Sequence, residues 1–290
     1  MTKATKDILK DIYKDRKKGV YYRKYDFGFL LVIGGSDYYC GSPALSAMAA
    51  FKTGVDMVRI LAPERAADII ASFSPNLATY SLDGKWLEKK HLPTLIAMTE
   101  SAKEVSRGNV AVVIGGGMGR TKETQETILE YLEKVSVPVV IDADAIYALS
   151  DNPEIIKGKG FLITPHSYEF FVLTKREIFK LPHSEKIEVV KEEAQRLETT
   201  ILLKAKPDII SDGRETVLNK TGSPYMSVGG TGDSLAGICG ALLSRKDIGP
   251  FLAGQVGAYI SGKAGELAAK RLKDSLVATD VIEAIPEVLH

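Results

Sequence analysis

Three observations predict an α/β fold built on a doubly wound, mostly parallel sheet with helices on both faces. From residue 29 to residue 203, short β-branched runs alternate with helical patterns. The runs are apolar throughout rather than alternating, as expected of strands covered on both faces. The residues that follow each run are glycines and polar groups, the pattern of a ligand-binding carboxyl edge.

Six runs read as parallel strands: 29–33 (FLLVI), 57–61 (MVRIL), 110–114 (VAVVI), 137–141 (VPVVI), 161–164 (FLIT) and 200–203 (TILL). Helical patterns fall at 43–53, 64–71, 89–105, 121–134, 144–149 and 184–197. Beyond residue 203 the pattern changes. Ile209, Ile210 and residues 216–218 flank a turn at Asp212-Gly213, which predicts an antiparallel hairpin on the sheet edge. Helices follow at 232–244 and 249–272, the second with Gly254, Gly257, Gly262 and Gly265 spaced for close helix packing. Residues 4–17 place Ile8, Leu9, Ile12 and Tyr13 on one helical stripe, whose apolar face points to a homo-oligomer, up to a tetramer. With no linker, repeat or low-complexity segment, residues 1–290 are expected to form a single domain, its N-terminal helix within 1–20.

Composition narrows the function classes. Of 290 residues, 45% are hydrophobic and the formal net charge is +1. No basic stripe with interleaved aromatics suggests nucleic acid, and no apolar run approaches the roughly 20 residues that span a bilayer. The charged N-terminus has no apolar h-region, and Cys40 and Cys239 form no CxxC, which together suit a reducing cytoplasm. Asn219-Lys220-Thr221 matches a glycosylation sequon, read as chance without a secretory signal.

The sharpest motif is Gly229, Gly230, Thr231, Gly232 and Asp233, opening onto the apolar stretch SLAGICGALLS. A glycine turn ahead of a helix offers free N–H groups and the positive dipole end, which bind phosphate. Asp233 is then either an ordinary N-cap or a carboxylate that handles a proton or a metal in phosphoryl chemistry.

Other strand ends supply further candidates. Residues 110–142 follow the order of a dinucleotide-binding unit, yet the glycines read G-G-G-M-G-R, and no GxGxxG fits. No GxxxxGK[ST] occurs, which excludes a P-loop. Asp144 is expected as an N-cap, while Asp142 is either its companion or a holder of a magnesium-bound water or ligand hydroxyl. His166 sits in a strand-end turn, with Ser167 or Glu169 expected to cap the helix that follows. Lys204 either reaches solvent or meets a phosphate. Ser42 is expected to cap, and Pro43 to open, a helix whose Ser42 and Ala44 face the crevice.

In order along the chain stand GGSDYYCGSPALSAMAAFKTG (34–54), IGGGMGR (114–120), VVIDADAIYAL (139–149), LITPHSYEF (162–170), LLKAKPDII (202–210) and SVGGTGDSLAGI (227–238). This set resembles the ADP- or ATP-dependent NAD(P)H-hydrate dehydratases, a branch of the ribokinase-like superfamily, from about residue 28 onward. The resemblance implies a three-layer α/β/α fold. It implies nucleotide contacts at Lys204, Ala205, Lys206, Pro207, Asp208, Gly229, Gly230, Thr231 and Gly232. It places Ala44, Gly119, His166 and Asp233 at the dinucleotide substrate, and Glu169 at an acid position associated with magnesium and phosphate. The chain departs from the family pattern at Gly116, where proline is usual, at Ala205, where glycine is common, and at Val228, expected to narrow the approach. The epimerase unit fused to some relatives is not expected here.

The implied reaction restores NADH or NADPH from its hydrate, with ADP or ATP as phosphoryl donor and Mg2+ as companion ion. Asp233 would take the proton of the ring hydroxyl as that hydroxyl attacks phosphorus, and phosphate would then depart. Arg120 is positioned in sequence to meet a 2′-phosphate. A superfamily kinase acting on a hydroxyethylthiazole or hydroxymethylpyrimidine is the enzymatic rival, and a nucleotide sensor without Asp233 chemistry the non-enzymatic one.

Overall fold

The computed structural model describes residues 5–14 and 17–290. Strands β1 (Phe29–Ile33), β2 (Met57–Pro63), β3 (Ala78–Leu82), β4 (Val110–Ile114), β5 (Val139–Ile141), β6 (Phe161–Ile163), β7 (Thr200–Leu203), β8 (Asp208–Ser211) and β9 (Thr216–Asn219) form one sheet. Its order is β3-β2-β1-β4-β5-β6-β7-β8-β9, parallel through β7 and antiparallel from β7 to β9.

Helices are α1 (Thr5–Ile12), α2 (Gly41–Lys52), α3 (Glu64–Phe73), α4 (Leu92–Val105), α5 (Lys122–Lys134) and α6 (Asp144–Leu149). They continue with α7 (Ser167–Thr174), α8 (His183–Leu197), α9 (Thr231–Leu243), α10 (Pro250–Leu272) and α11 (Ala278–Leu289).

Successive side chains on a strand face opposite ways, and the two cores obey that alternation. Leu30 and Val32 of β1 join α2, α9, α10 and α11 on one face, while Phe29, Leu31 and Ile33 join α4, α5 and α6 on the other. The expected three layers follow from this pattern of burial.

Several boundaries differ from expectation for physical reasons. Strand β5 begins at Val139 because Pro138 has no N–H to give, although its carbonyl still accepts from Val112. Edge strand β3 was not anticipated; its sequence ATYSL is only half buried and carries little apolar signal. Helix α11 was not anticipated either, and it places Ala278, Val281, Ile282 and Ile285 in the core beside α2 and α10.

Within the span 4–17, helix is described only over Thr5–Ile12; residues 4, 15 and 16 lie outside the described residues. Its apolar stripe packs inside its own chain: Leu9 is buried, Tyr13 Oη donates to Thr53 O at 2.8 Å, and Gln255 of α10 bonds Thr5. Part of that stripe is thus used within the chain, with Ile8, Ile12 and Tyr13 only partly buried.

The chain order of the strands reverses between β1 and β4, and a crevice opens at such a switch point. There the two glycine-rich strand ends meet, Gly35 N donating to Gly116 O at 2.8 Å.

Candidate functional site

Helix α9 enters the site through Gly230, its N-cap, at φ +90°. A side chain there would be strained, and its Cβ would stand 2.5 Å from Leu45 Cδ1 and 2.9 Å from Ala278 Cβ. Thr231 Oγ1 donates to the carbonyls of Met226 and Val228, 3.0 Å each, and so ties the entering loop to the helix. The first N–H groups of α9 lack intrahelical partners by geometry.

On one side of this turn lies a cleft of about 500 Å³ whose lining includes Lys204, Lys206, Asp208, Met226, Gly232 and Gly262. It gathers Lys204, Ala205, Lys206, Asp208, Thr231 and Gly232 of the expected nucleotide residues; Pro207, Gly229 and Gly230 are not among its walls. The turn at 204–208 is braced from inside: Asp208 accepts from Ala205 N at 3.0 Å and from Asn219 Nδ2 at 2.9 Å. Asp208 is thus a brace, and burial pushes its carboxyl above the ordinary range. Asn219 also donates to Ala258 O, which leaves the sequon asparagine committed to the fold. Ala205 does not adopt a positive φ, so alanine there carries no strain. Val228 packs against the core rather than narrowing the cleft.

The far wall, from Thr221 to Ser227, was missed by sequence reasoning because a short Gly-Ser-Pro loop carries no chemical signature. Its signal lay in α10. A Cβ at Gly262 would meet Thr221, and one at Gly265 would meet Met226, so these glycines admit the loop. Only Gly257, against Cys239 of α9, serves the helix–helix approach that the spacing predicts.

On the other side of the turn Asp233 faces the glycine loop. A Cβ at Gly116 would lie 2.9 Å from Asp233 Oδ1 and 2.8 Å from Ser42 Cβ. Helix α2 begins at Gly41, so Ser42 lies within its first turn and does not cap it, contrary to expectation. Its side chain instead stands beside the Asp233 carboxylate, both facing Gly116. Ala44, two residues on, is 3% exposed and part of the core. Burial, foremost, and then the Asp142 carboxylate push the Asp233 carboxyl up to about 6. Asp144 adds to this, while Ser42 and Lys204 oppose it.

Lys204 is held by carboxylates, 2.8 Å from Asp142 Oδ1 and 3.6 Å from Glu169 Oε2. Burial alone would lower its pKa, but Asp142, Glu169 and Asp233 outweigh that and raise it. Thr164 Oγ1 donates to the same Asp142 oxygen at 2.8 Å.

Glu169 is the reciprocal partner in a capping box at the start of α7, accepting from His166 N at 2.8 Å. The N-cap is His166 itself, whose Nδ1 accepts from Tyr168 N and Glu169 N. Accepting at Nδ1 places the neutral ring's proton on Nε2.

Gly119 and Arg120 are both bound by Asp144, which accepts from Gly119 N at 2.9 Å and Arg120 Nε at 2.8 Å. Arg120 also lies over the Tyr147 ring, 3.3 Å from its centroid, so it is not the unengaged cation that a 2′-phosphate contact would need. Asp144 is the first residue of α6, with Ala143 as N-cap.

Among the described residues no group of three or more His, Cys, Asp or Glu side chains could hold a metal ion. Lys204 already neutralises Asp142 and Glu169, and this donor set does not fit a protein-held cation.

Comparison with known proteins bears on this geometry. A family profile described as NAD(P)H-hydrate dehydratase matches residues 30–287. The chain belongs to the NAD(P)H-hydrate dehydratase family.

Among relatives in that family, a bifunctional NAD(P)H-hydrate repair enzyme of Pyrobaculum aerophilum is 41% identical over 279 residues, covering 95% of this chain and 52% of that protein. The chain thus spans about half the length of the bifunctional relatives it matches. A Cenarchaeum symbiosum protein named ADP-dependent (S)-NAD(P)H-hydrate dehydratase is 34% identical over 270 residues, 92% of this chain and 90% of its own length. The fold is shared with a Bacillus subtilis ADP/ATP-dependent NAD(P)H-hydrate dehydratase co-crystallised with ATP/Mg2+. That match has a TM-score of 0.76 and 24% identity, and covers 98% of this chain and 95% of that one. An Enterococcus faecalis ribokinase-like protein aligns at TM-score 0.81, with 24% identity over 98% of this chain and 93% of its own.

Proposed function

We propose that this NAD(P)H-hydrate dehydratase family member uses ADP or ATP to remove water from hydrated NADH or NADPH through a phosphorylated intermediate. The observation that carries the reading is the first turn of α9. Thr231 and Gly232 line the nucleotide-sized cleft, and the next residue, Asp233, faces the glycine loop at the switch point. A donor phosphate in the cleft and a hydroxyl over the glycine loop would meet at that turn.

Hydroxide is a poor leaving group and phosphate a good one. Asp233 accepts the hydroxyl proton as the substrate oxygen attacks the terminal phosphorus of the donor, with its N–H groups stabilising the charge that shifts. The C–O bond then breaks, phosphate leaves with the bonding pair, and the ring proton passes to the departing phosphate or to water as the double bond forms. A carboxyl near pKa 6 is deprotonated at neutral pH and still basic enough to serve.

His166 and Gly119, in the loops after β6 and β4, are assigned to the dinucleotide on the family resemblance. Pro207, Gly229 and Gly230 complete the nucleotide strip in sequence only. Magnesium bound with the nucleotide would neutralise phosphate charge, and Glu169 is assigned to capping instead of metal binding. The names of the Cenarchaeum and Bacillus relatives support the nucleotide and the ion.

No helix among the described residues is long and apolar enough to cross a membrane. Both cysteines are free, which supports the cytoplasmic location we propose. The test is to incubate hydrated NADPH with each nucleotide and follow the near-ultraviolet absorbance of the dihydronicotinamide. Recovery with release of phosphate supports the dehydratase; a stable phosphorylated alcohol would support a kinase instead.

A further inference from the structure

The amide of Gly119 is already committed, since it donates to Asp144 at 2.9 Å. What this glycine provides is room. A Cβ there would stand 2.6 Å from Trp86 Cζ3 and 3.1 Å from Cε3, so the benzo ring of the indole lies against bare backbone at the end of the glycine loop.

Trp86 is the only tryptophan of the chain, and it is half-buried. Its loop, between β3 and α4, does not need the indole as an anchor, because the neighbouring Leu87 is 1% exposed and sits in the core. The buried His91 closes this loop from inside: Nδ1 accepts from Glu88 N at 3.0 Å, and Nε2 then donates to Asp83 O at 2.8 Å. Asp37 N donates to Lys85 O at 2.8 Å and ties the loop to the turn after β1. A large flat side chain held on a braced loop, partly in solvent beside a glycine floor, offers a stacking platform.

Position along that floor tells which part of a dinucleotide it would take. Gly116 faces Asp233, Gly117 faces the Tyr39 ring and Gly119 faces Trp86. The ring that carries the hydroxyl must lie at Asp233, which leaves the far end of the loop to the other half of the molecule. Chemistry points the same way. A hydrated nicotinamide is puckered at its tetrahedral carbons and stacks poorly, whereas a purine is flat and stacks well. In the sheet, β3 and β7 lie on opposite sides of the switch point between β1 and β4. The donor cleft, with Lys204 at the end of β7, is on one side, and the loop of Trp86 is on the other.

We propose that Trp86 stacks on the purine of the substrate and so sets a preference for a dinucleotide hydrate over a mononucleotide hydrate. The proposal rests on the dehydratase reading for the class of substrate. Trp86 takes no part in proton or phosphoryl transfer; it binds the half of the molecule that does not react.

The test uses the full chain with ADP saturating the nucleotide cleft. The indole proton resonances are followed by NMR as NADH, the product, or reduced nicotinamide mononucleotide is added. Ring-current shifts are expected with NADH and not with the mononucleotide. Equal shifts from both, or none from NADH, would overturn the stacking. Turnover gives a second reading. The ratio of kcat/KM for the hydrate of NADH to that for the hydrate of reduced nicotinamide mononucleotide is expected to fall roughly 5–100-fold in Trp86→Ala, with Trp86→Phe between. A merely structural role would lower both hydrates alike, and an unchanged ratio would likewise overturn the proposal. The resonances are read without turnover. A wild type whose indole shifts with NADH but which is inert toward the hydrate would therefore refute the proposed function and leave the stacking standing.

Discussion

The ammonium of Lys204 stands 2.8 Å from Asp142 Oδ1, so the cation at the end of β7 is bound by the protein's own carboxylate at the mouth of the nucleotide cleft. Asp142 is 3% exposed and also accepts from Thr164 Oγ1. Removing the lysine leaves a buried charge without a counter-ion, which typically costs about 3–5 kcal/mol. Lys204→Met is expected to lower stability by an amount toward the low end of that range, since Lys204 keeps 21% of its side chain in solvent. Urea unfolding measures it. The same variant should raise the Asp233 pKa further, because Lys204 opposes that shift.

Asp233 ties activity to stability with opposite signs. Its carboxyl is raised from 3.8 to about 6, so the folded state holds this proton to higher pH than the unfolded chain does. The contribution to stability is therefore fully present below pH 3.8 and is lost as pH rises through about 6. Activity needs the charged form and should climb over the same upper edge. Asp233→Asn is expected to cut kcat by about 10²–10⁴-fold with nucleotide affinity retained. It should also gain about 1–2 kcal/mol at neutral pH, after allowance for partial exposure. Paired melting curves at pH 4 and pH 7.5, with an activity profile, check both signs; a variant less stable than wild type at neutral pH would contradict the assignment.

Asp144 holds Gly119 N and Arg120 Nε with its two oxygens and so fixes the end of the glycine loop. Asp144→Ala frees both donors. The expected result is a several-fold rise in KM for the hydrate with KM for the nucleotide unchanged, because the cleft walls do not include this loop. Equal rises in both would argue that the loop serves the nucleotide.

Gly230→Ala places a Cβ at φ +90° and 2.5 Å from Leu45 Cδ1. Backbone strain of this kind costs of order 1–3 kcal/mol. The variant should melt lower and lose nucleotide affinity, since the helix end must shift. Calorimetry and nucleotide titration of the one protein read both effects.

Much of this arrangement was legible in the sequence, and the exceptions share a cause. Apolar runs such as FLLVI and VAVVI mark central strands because both faces need apolar cover. The glycines after them mark the crevice because only close backbone approach demands them. What sequence reasoning could not place were partnerships between polar groups far apart in the chain. Ser42 looked like a cap until α2 proved to start at Gly41 and Asp233 to lie beside it. Arg120 looked available until Asp144 and Tyr147 claimed it. Residues Thr221 to Ser227 were silent because a cleft wall made of backbone and small side chains has no motif.

The account stands or falls on Asp233 turning a hydroxyl into a departing phosphate. The direct measurement is absorbance recovery from hydrated NADPH with ADP or ATP, followed alongside inorganic phosphate for wild type and Asp233→Asn. The prediction is one phosphate released per dihydronicotinamide restored by the wild type, and both products formed about 10²–10⁴-fold more slowly by the variant. Nucleotide turnover without recovered absorbance, or recovery undiminished in Asp233→Asn, would contradict it.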